Sequence, residues 1–216
     1  SEAGFCMVFG TQQAAAVGVL EQRRVITVLF ADLAGFTARA EALDPEDVRA
    51  FLVPYYGVIT SEGAAHGGRV DRYLGDGVMA IFGAPVAHED DAERAVRAAL
   101  RIAERVGALR LDLHVRLGIN TGPVLFASAA DGRDDGVTGD AVNTAARLQE
   151  AAPLDGVVVG EATYQATVHA LRYAALPPVV AKGKASPVPL WRALGPISAT
   201  AGALRFEATP FVGRDA

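Results

Sequence analysis

One cysteine, Cys6, stands among the 216 residues, so no internal disulfide is possible and a reducing compartment is expected. No stretch of about 18 apolar residues occurs, which removes the signature of a membrane-spanning helix. The short apolar run at residues 14–20 lacks a basic flank before it and does not read as a signal peptide. There is no long Lys/Arg run, and the formal net charge is −5, which argues against a protein that follows a nucleic-acid backbone. Charged residues are scarce at 21% while hydrophobic residues reach 51%, so the composition calls for a packed core rather than disorder. The expectation is a soluble, cytoplasmic chain with one good-sized domain and appendages, and with neither membrane nor nucleic acid as a partner.

What is present is a regular interleaving of strands and helices. Residues 1–22 read as an N-terminal extension of small residues. Residues 24–33 hold a continuous apolar run (Val25, Ile26, Val28, Leu29, Phe30) that predicts a buried strand. Asp44-Pro45-Glu46-Asp47 is a helix start, with Pro45 at the first helical position, and the helix is expected to reach Ala65 before Gly67-Gly68. Residues 69–74 and 78–82 predict two strands joined by the turn Gly75-Asp76-Gly77. Residues 89–106 predict a helix with acids early and arginines late. Two strands are expected at 114–121 and 124–127, separated by Gly122-Pro123, then an exposed loop at 130–136 and a helix at 140–151. A short strand at 157–159, a short helix at 161–167 and irregular strands to Ala193 follow, and after Leu194 the composition becomes that of a linker. This order predicts an α+β fold, a sheet packed on helices, rather than a doubly wound parallel one.

The chemistry concentrates in a few places. In Val28-Leu29-Phe30-Ala31-Asp32-Leu33-Ala34-Gly35-Phe36-Thr37 an apolar strand runs into one carboxylate beside a glycine-softened turn. A second carboxylate sits in Tyr73-Leu74-Gly75-Asp76-Gly77-Val78-Met79-Ala80. Asp32 and Asp76, brought together from neighbouring strands, suit hard cations that carry phosphates; each alone also fits an ordinary turn cap. Asn143 and Arg147, four apart, share a helical face and offer an amide and a guanidinium where charge builds on phosphate oxygens; a solvated helix face with a local contact explains the same spacing. Lys182, between Ala181 and Gly183, can reach a triphosphate as a point charge or simply be solvated. The four histidines (His66, His88, His114, His169) have no metal-ligand spacing, and Trp191 reads as core.

In order and spacing, residues 30–37, 74–80, 116–122 and 139–147 together with Lys182-Gly183 resemble the catalytic domain of class III nucleotide cyclases, from about Arg23 to Leu194. The resemblance implies a ferredoxin-like βαββαβ core sheet with helices and C-terminal extension strands. It implies two Mg²⁺ or Mn²⁺ ions held by Asp32 and Asp76 with the Leu33 carbonyl, and a nucleoside triphosphate cyclised by attack of its ribose 3′-hydroxyl on the α-phosphorus. Asn143 then orients the ribose, Arg147 steadies the transition state and Lys182 holds the outer phosphates. The turn Leu33, Ala34, Gly35, Phe36, Thr37 offers backbone N–H groups to phosphate. The family's sites lie between two subunits, so a homodimer is implied.

Two positions depart from the family. Its adenine-selecting lysine aligns with Arg72, and that lysine's partner aligns with Gly136, which has no side chain; the family's guanine pattern of Glu and Cys is absent too. The expected substrate is ATP, the alternatives being a guanylate cyclase or a weak or silent cyclase-like module for nucleotide sensing or dimerisation. At the termini, residues 4–11 resemble a zinc-ribbon knuckle that has lost a cysteine, so no structural zinc is expected. Residues 209–215 resemble the entry to an ATPase domain, which makes 195–216 a linker towards it and this chain the cyclase portion of a longer regulatory protein.

Overall fold

The computed structural model describes residues 20–128, 136–179 and 187–197. In chain order these form β1 (Leu20–Leu33), α1 (Phe36–Ala40), α2 (Pro45–Ala65), β2 (Arg69–Leu74), β3 (Gly77–Phe82), α3 (Asp91–Ala108) and β4 (Val115–Ser128). There follow β5 (Gly136–Thr138), α4 (Asp140–Glu150), β6 (Gly156–Gly160), α5 (Glu161–Thr167), β7 (Leu171–Val179) and β8 (Val188–Pro196).

Strand β1 shows why the layers stack as they do. Its side chains alternate between two faces. Leu29, Ala31 and Leu33 enter one core with Tyr55, Val58 and Ile59 of α2 and Ala95, Ala99 and Ile102 of α3. Ile26 and Val28 enter a second core with Ala141 and Ala145 of α4. A strand covered on both faces reads as the continuous apolar run seen in the sequence.

The sheet order is β2-β3-β1-β4-β6-β8-β7, with β5 paired to β4. Each of the first four strands in that order is antiparallel to its neighbour, and together they carry α2 and α3 on one face, which is the ferredoxin-like βαββαβ arrangement. Strand β6 adds in parallel to β4, and the β7–β8 hairpin extends the sheet.

Four local expectations are corrected. Gly122-Pro123 does not break the chain: β4 runs unbroken from Val115 to Ser128. Pro123 pairs with Val25 but lies between the part of β4 that pairs β6 (Arg116–Ile119) and the part that pairs β5 (Leu125–Ala127), so a missing N–H costs no ladder bond on that open side. Strand β1 begins at Leu20 rather than Arg24, because residues 20–25 pair with 123–128. Gly136, read as loop, starts β5 opposite Ala127. The residues after Gly35 form α1, held by Phe36 packing edge-on against Phe51 at 6.3 Å between ring centroids. Cys6, Lys182, loop residues 130–135 and the terminal segments 1–19 and 198–216 lie outside the described residues. Among the described residues no helix is long and apolar enough to cross a membrane.

Candidate active site

Antiparallel pairing of β1 with β3 sets Ala31 opposite Val78, so the end of β1 lies against the two-residue turn Gly75-Asp76 between β2 and β3. This brings the carboxyl groups of Asp32 and Asp76 into hydrogen-bond contact. Burial, then the Asp76 charge, then the bond shared with Asp76 push the Asp32 carboxyl from 3.8 up to about 6, against the opposing pull of the Gln149 amide and the Arg116 charge. Gln149 of α4 donates from Nε2 to Asp32 Oδ2 at 3.4 Å. Arg116 faces Asp32 in the β1–β4 register.

Helix α2 holds the turn from the other side. The Tyr56 hydroxyl donates to the Gly75 carbonyl, the Tyr56 and Tyr73 rings lie 4.7 Å apart, and Tyr73 Oη and Thr60 Oγ1 share a hydrogen bond of 3.1 Å. Beside Tyr56, Tyr55 is fully buried, and its hydroxyl has no hydrogen-bond partner among the described residues. A cleft of about 380 Å³, lined by Phe36, Thr37, Val48 and Leu52, opens beside Gly75 and Asp76.

Of the turn at residues 33–37, Phe36 and Thr37 line that cleft. Gly35 takes φ 71° at the N-cap of α1, the left-handed conformation in which glycine is least strained, and this turns the chain from strand into helix. The Ala34 N–H is already donated to the His114 carbonyl at 2.8 Å, so it is not free for a phosphate as the sequence suggested. The first-turn N–H groups of α1 have no intrahelical acceptor.

Asn143 and Arg147 fall on α4 as expected, but not with the carboxylates. Arg147 lines a small recess with Thr144, Leu148, Val179 and Val188, towards the β7–β8 end of the sheet. Gln149, about 200° further round the helix, is the residue that turns to Asp32. Asn143 is exposed, and among the described residues neither its side chain nor that of Arg147 has a hydrogen-bond partner. Arg72 is exposed on β2, with Nε bonded to Asp71 Oδ2 at 2.8 Å across a β-bulge, while Gly136 lies on β5.

Two carboxyls in contact, one of them retaining its proton far above its usual range, form a donor set that a hard divalent ion would complete. Among the described residues no third His, Cys, Asp or Glu joins them, so further ligands are backbone oxygens, water or substrate. The raised Asp32 value has a measurable consequence. A carboxyl that binds its proton more tightly when folded contributes stability below about pH 4, and this is lost as pH rises through about 6. In chelator, Asp32→Asn is therefore expected to unfold at a higher temperature than wild type at pH 7.5, and the gap is expected to narrow as pH falls through about 6 and to close by about pH 4. The effect is on the order of 1 kcal/mol for a half-buried carboxyl screened by solvent. Parallel unfolding curves across that range would refute it.

Residues 19–188 match the adenylate and guanylate cyclase catalytic domain. The chain belongs to that family. The cyclase domain resembles the crystal structure of the adenylyl cyclase CyaB from P. aeruginosa with a TM-score of 0.76 and 29% identity, over 81% of this chain and 96% of that one. The guanylyl cyclase Cya2 is similar at a TM-score of 0.72 and 32% identity, over 83% and 96%. Among curated proteins, adenylate cyclase 1 of Rhizobium meliloti (strain 1021) is 35% identical over 137 residues, 59% of this chain and 21% of that protein. The adenylate cyclase of Anabaena cylindrica is 29% identical over 147 residues, 62% and 28%. The cyclase domain thus spans less than a third of either relative.

Sequence reading did not single out Tyr55, Arg116 or Gln149. Tyr55 falls inside the stretch expected to form α2, with nothing local to mark it. Arg116 lay inside a matching stretch without a role, and nothing local marks Gln149, which meets Asp32 only through the packing of α4 on the sheet.

Proposed function

We propose that this cyclase domain is an adenylate cyclase that forms 3′,5′-cyclic AMP and pyrophosphate from ATP at sites shared by two copies of the chain. The observation that carries the reading is the carboxylate pair, set beside a cleft while the amide and guanidinium of α4 face elsewhere. Within one chain Asp32 and Asp76 have Gln149 for a neighbour rather than Arg147, so a second copy is the natural source of an arginine for the same substrate.

Asp32, Asp76 and the Leu33 carbonyl would hold two Mg²⁺ or Mn²⁺ ions. Bound divalent ions lower the pKa of a coordinated hydroxyl and offset triphosphate charge. The ribose 3′-hydroxyl gives its proton to water and its oxygen bonds to the α-phosphorus; the bond to the bridging oxygen breaks, and pyrophosphate leaves with the electron pair. Asn143 of the partner chain orients the ribose, and Arg147 shares the charge that grows on the α-phosphate oxygens. Lys182 and the N–H groups following Gly35 hold the outer phosphates. Arg72 and Gly136 stand where the base is read. Adenine is favoured by the names of the two curated relatives, although a guanylyl cyclase is among the similar structures. Cytoplasmic placement and attachment to regulatory domains belong to the same proposal.

A second reading, a silent module for nucleotide sensing or dimerisation, has two observations in its favour. Arg72 spends Nε on Asp71, and Gly136 offers no side-chain acceptor. Cyclic nucleotide production with Mn²⁺ and either ATP or GTP separates the readings. Cyclic AMP is expected, and Asp76→Ala is expected to lower it by at least about 100-fold. Excess cyclic GMP would overturn the base assignment and keep the mechanism. Silence with both nucleotides, at concentrations where dimers are measured, would favour the module.

A further inference from the structure

Tyr55 is the buried polar group for which the fold gives no account. Its ring belongs to the main core with Leu33, Phe36 and Val78, and the residue has no exposed surface. Its hydroxyl is buried and lacks a partner among the described residues. A hydroxyl in that state costs about 1–3 kcal/mol relative to a bonded one, and completion by a water or ion is one of the physical reasons a folded protein keeps such a group. The neighbouring Tyr56, its ring 5.6 Å away, bonds the Gly75 carbonyl immediately before Asp76, which places this stretch of α2 against the carboxylate turn. Burial, and then the charges of Asp32 and Asp76, hold the Tyr55 hydroxyl in its protonated form. A protonated hydroxyl without an acceptor, on the stretch of α2 that packs against Leu33 and the carboxylate turn, is a donor in waiting.

We propose that the Tyr55 hydroxyl is a positioning group of the ion site, donating to a water bound by the divalent ion that Asp32 and Asp76 hold. The inference rests on the reading of those aspartates as ion ligands. Tyr55 touches neither substrate nor reacting atoms; it orients a ligand of the ion, and outer partners of this kind change metal affinity by about 10–100-fold when removed.

The decisive variant is Tyr55→Phe, which keeps the ring and deletes the oxygen. Two quantities are read on the 216-residue chain: thermal unfolding in chelator, and Mn²⁺ binding followed by electron paramagnetic resonance of the free ion. Since the hydroxyl is unsatisfied without the ion, Tyr55→Phe is expected to unfold at the wild-type temperature or above it. Its Mn²⁺ dissociation constant is expected to rise at least about tenfold. A dissociation constant within twofold of wild type would overturn the proposal. So would failure to fold, or a clearly lower unfolding temperature in chelator, because either would mean that the hydroxyl already has a structural partner. Asp76→Ala separates this inference from the reading beneath it. If wild type and Asp76→Ala bind Mn²⁺ alike, the carboxylate pair is not the ion site and both ideas fall. If Asp76→Ala loses binding and Tyr55→Phe does not, only the role of Tyr55 falls.

Discussion

Asp32→Ala and Arg147→Ala, each inactive alone, are expected to regain cyclase activity when mixed. Asp32 lies near the end of β1, while Arg147 lines a recess with Val179 of β7 and Val188 of β8. Strands β4 and β6 lie between these two parts of the sheet. If two copies complete each other's sites, a dimer of the two variants has one site with both defects and one with neither. Equal mixing gives about half heterodimers with one intact site of two, hence about a quarter of wild-type activity. Each variant alone is expected to fall about 100- to 1000-fold, the usual cost of removing one group that stabilises transition-state charge. Confirmed heterodimers without recovery would place the whole site within one chain and overturn the shared-site reading.

The parts of this fold legible in the sequence are those with local causes. Pro45 following Asp44 fixes the start of α2, and the acids and arginines of α3 match its dipole whatever lies beside it. Gly75-Asp76 could be placed in a turn because β-forming residues flank it on both sides, Tyr73-Leu74 before and Val78-Met79 after. What local pattern missed depends on partners. Pro123 reads as a breaker until β6 and β5 are seen to leave it on an open edge. The Pro177-Pro178 pair is absorbed by a register shift between Leu176 and Val179, so β7 keeps its pairing with β8. The same distinction governs the site. Asp32 and Asp76 are visible as motif residues, whereas the Asp32–Gln149 contact joins residues 117 apart in sequence and exists only because α4 packs on β1 and β4.

That packing depends on one residue, and Gly118→Ala is expected to undo it. A Cβ at Gly118 would stand 2.2 Å from the Gln149 nitrogen, 2.4 Å from the Ala145 oxygen and 2.7 Å from Gln149 Cα. All three are backbone atoms of α4, so no side chain can rotate aside and the helix itself must lift from the sheet. Helix α4 contributes Ala141 and Ala145 to one core and Leu148 to another, so displacement opens both. Overpacking of this kind costs about 3 kcal/mol or more, a fall in unfolding temperature of roughly 6–12 °C for a domain of this size. Activity is expected to fall further than stability, since Gln149 would leave Asp32 and the Asn143–Arg147 face would move with the helix. Gly57→Ala is the contrasting substitution. Gly57 is an exposed glycine within α2, and its added Cβ meets nothing within 4 Å. It is expected to stabilise the chain by about 0.5–1 kcal/mol through helix propensity alone. An unfolding temperature for Gly118→Ala within about 2 °C of wild type, less than the shift of 1 kcal/mol, would mean that α4 rides higher on the sheet than described. The contact that joins it to Asp32 would then have to be abandoned as well.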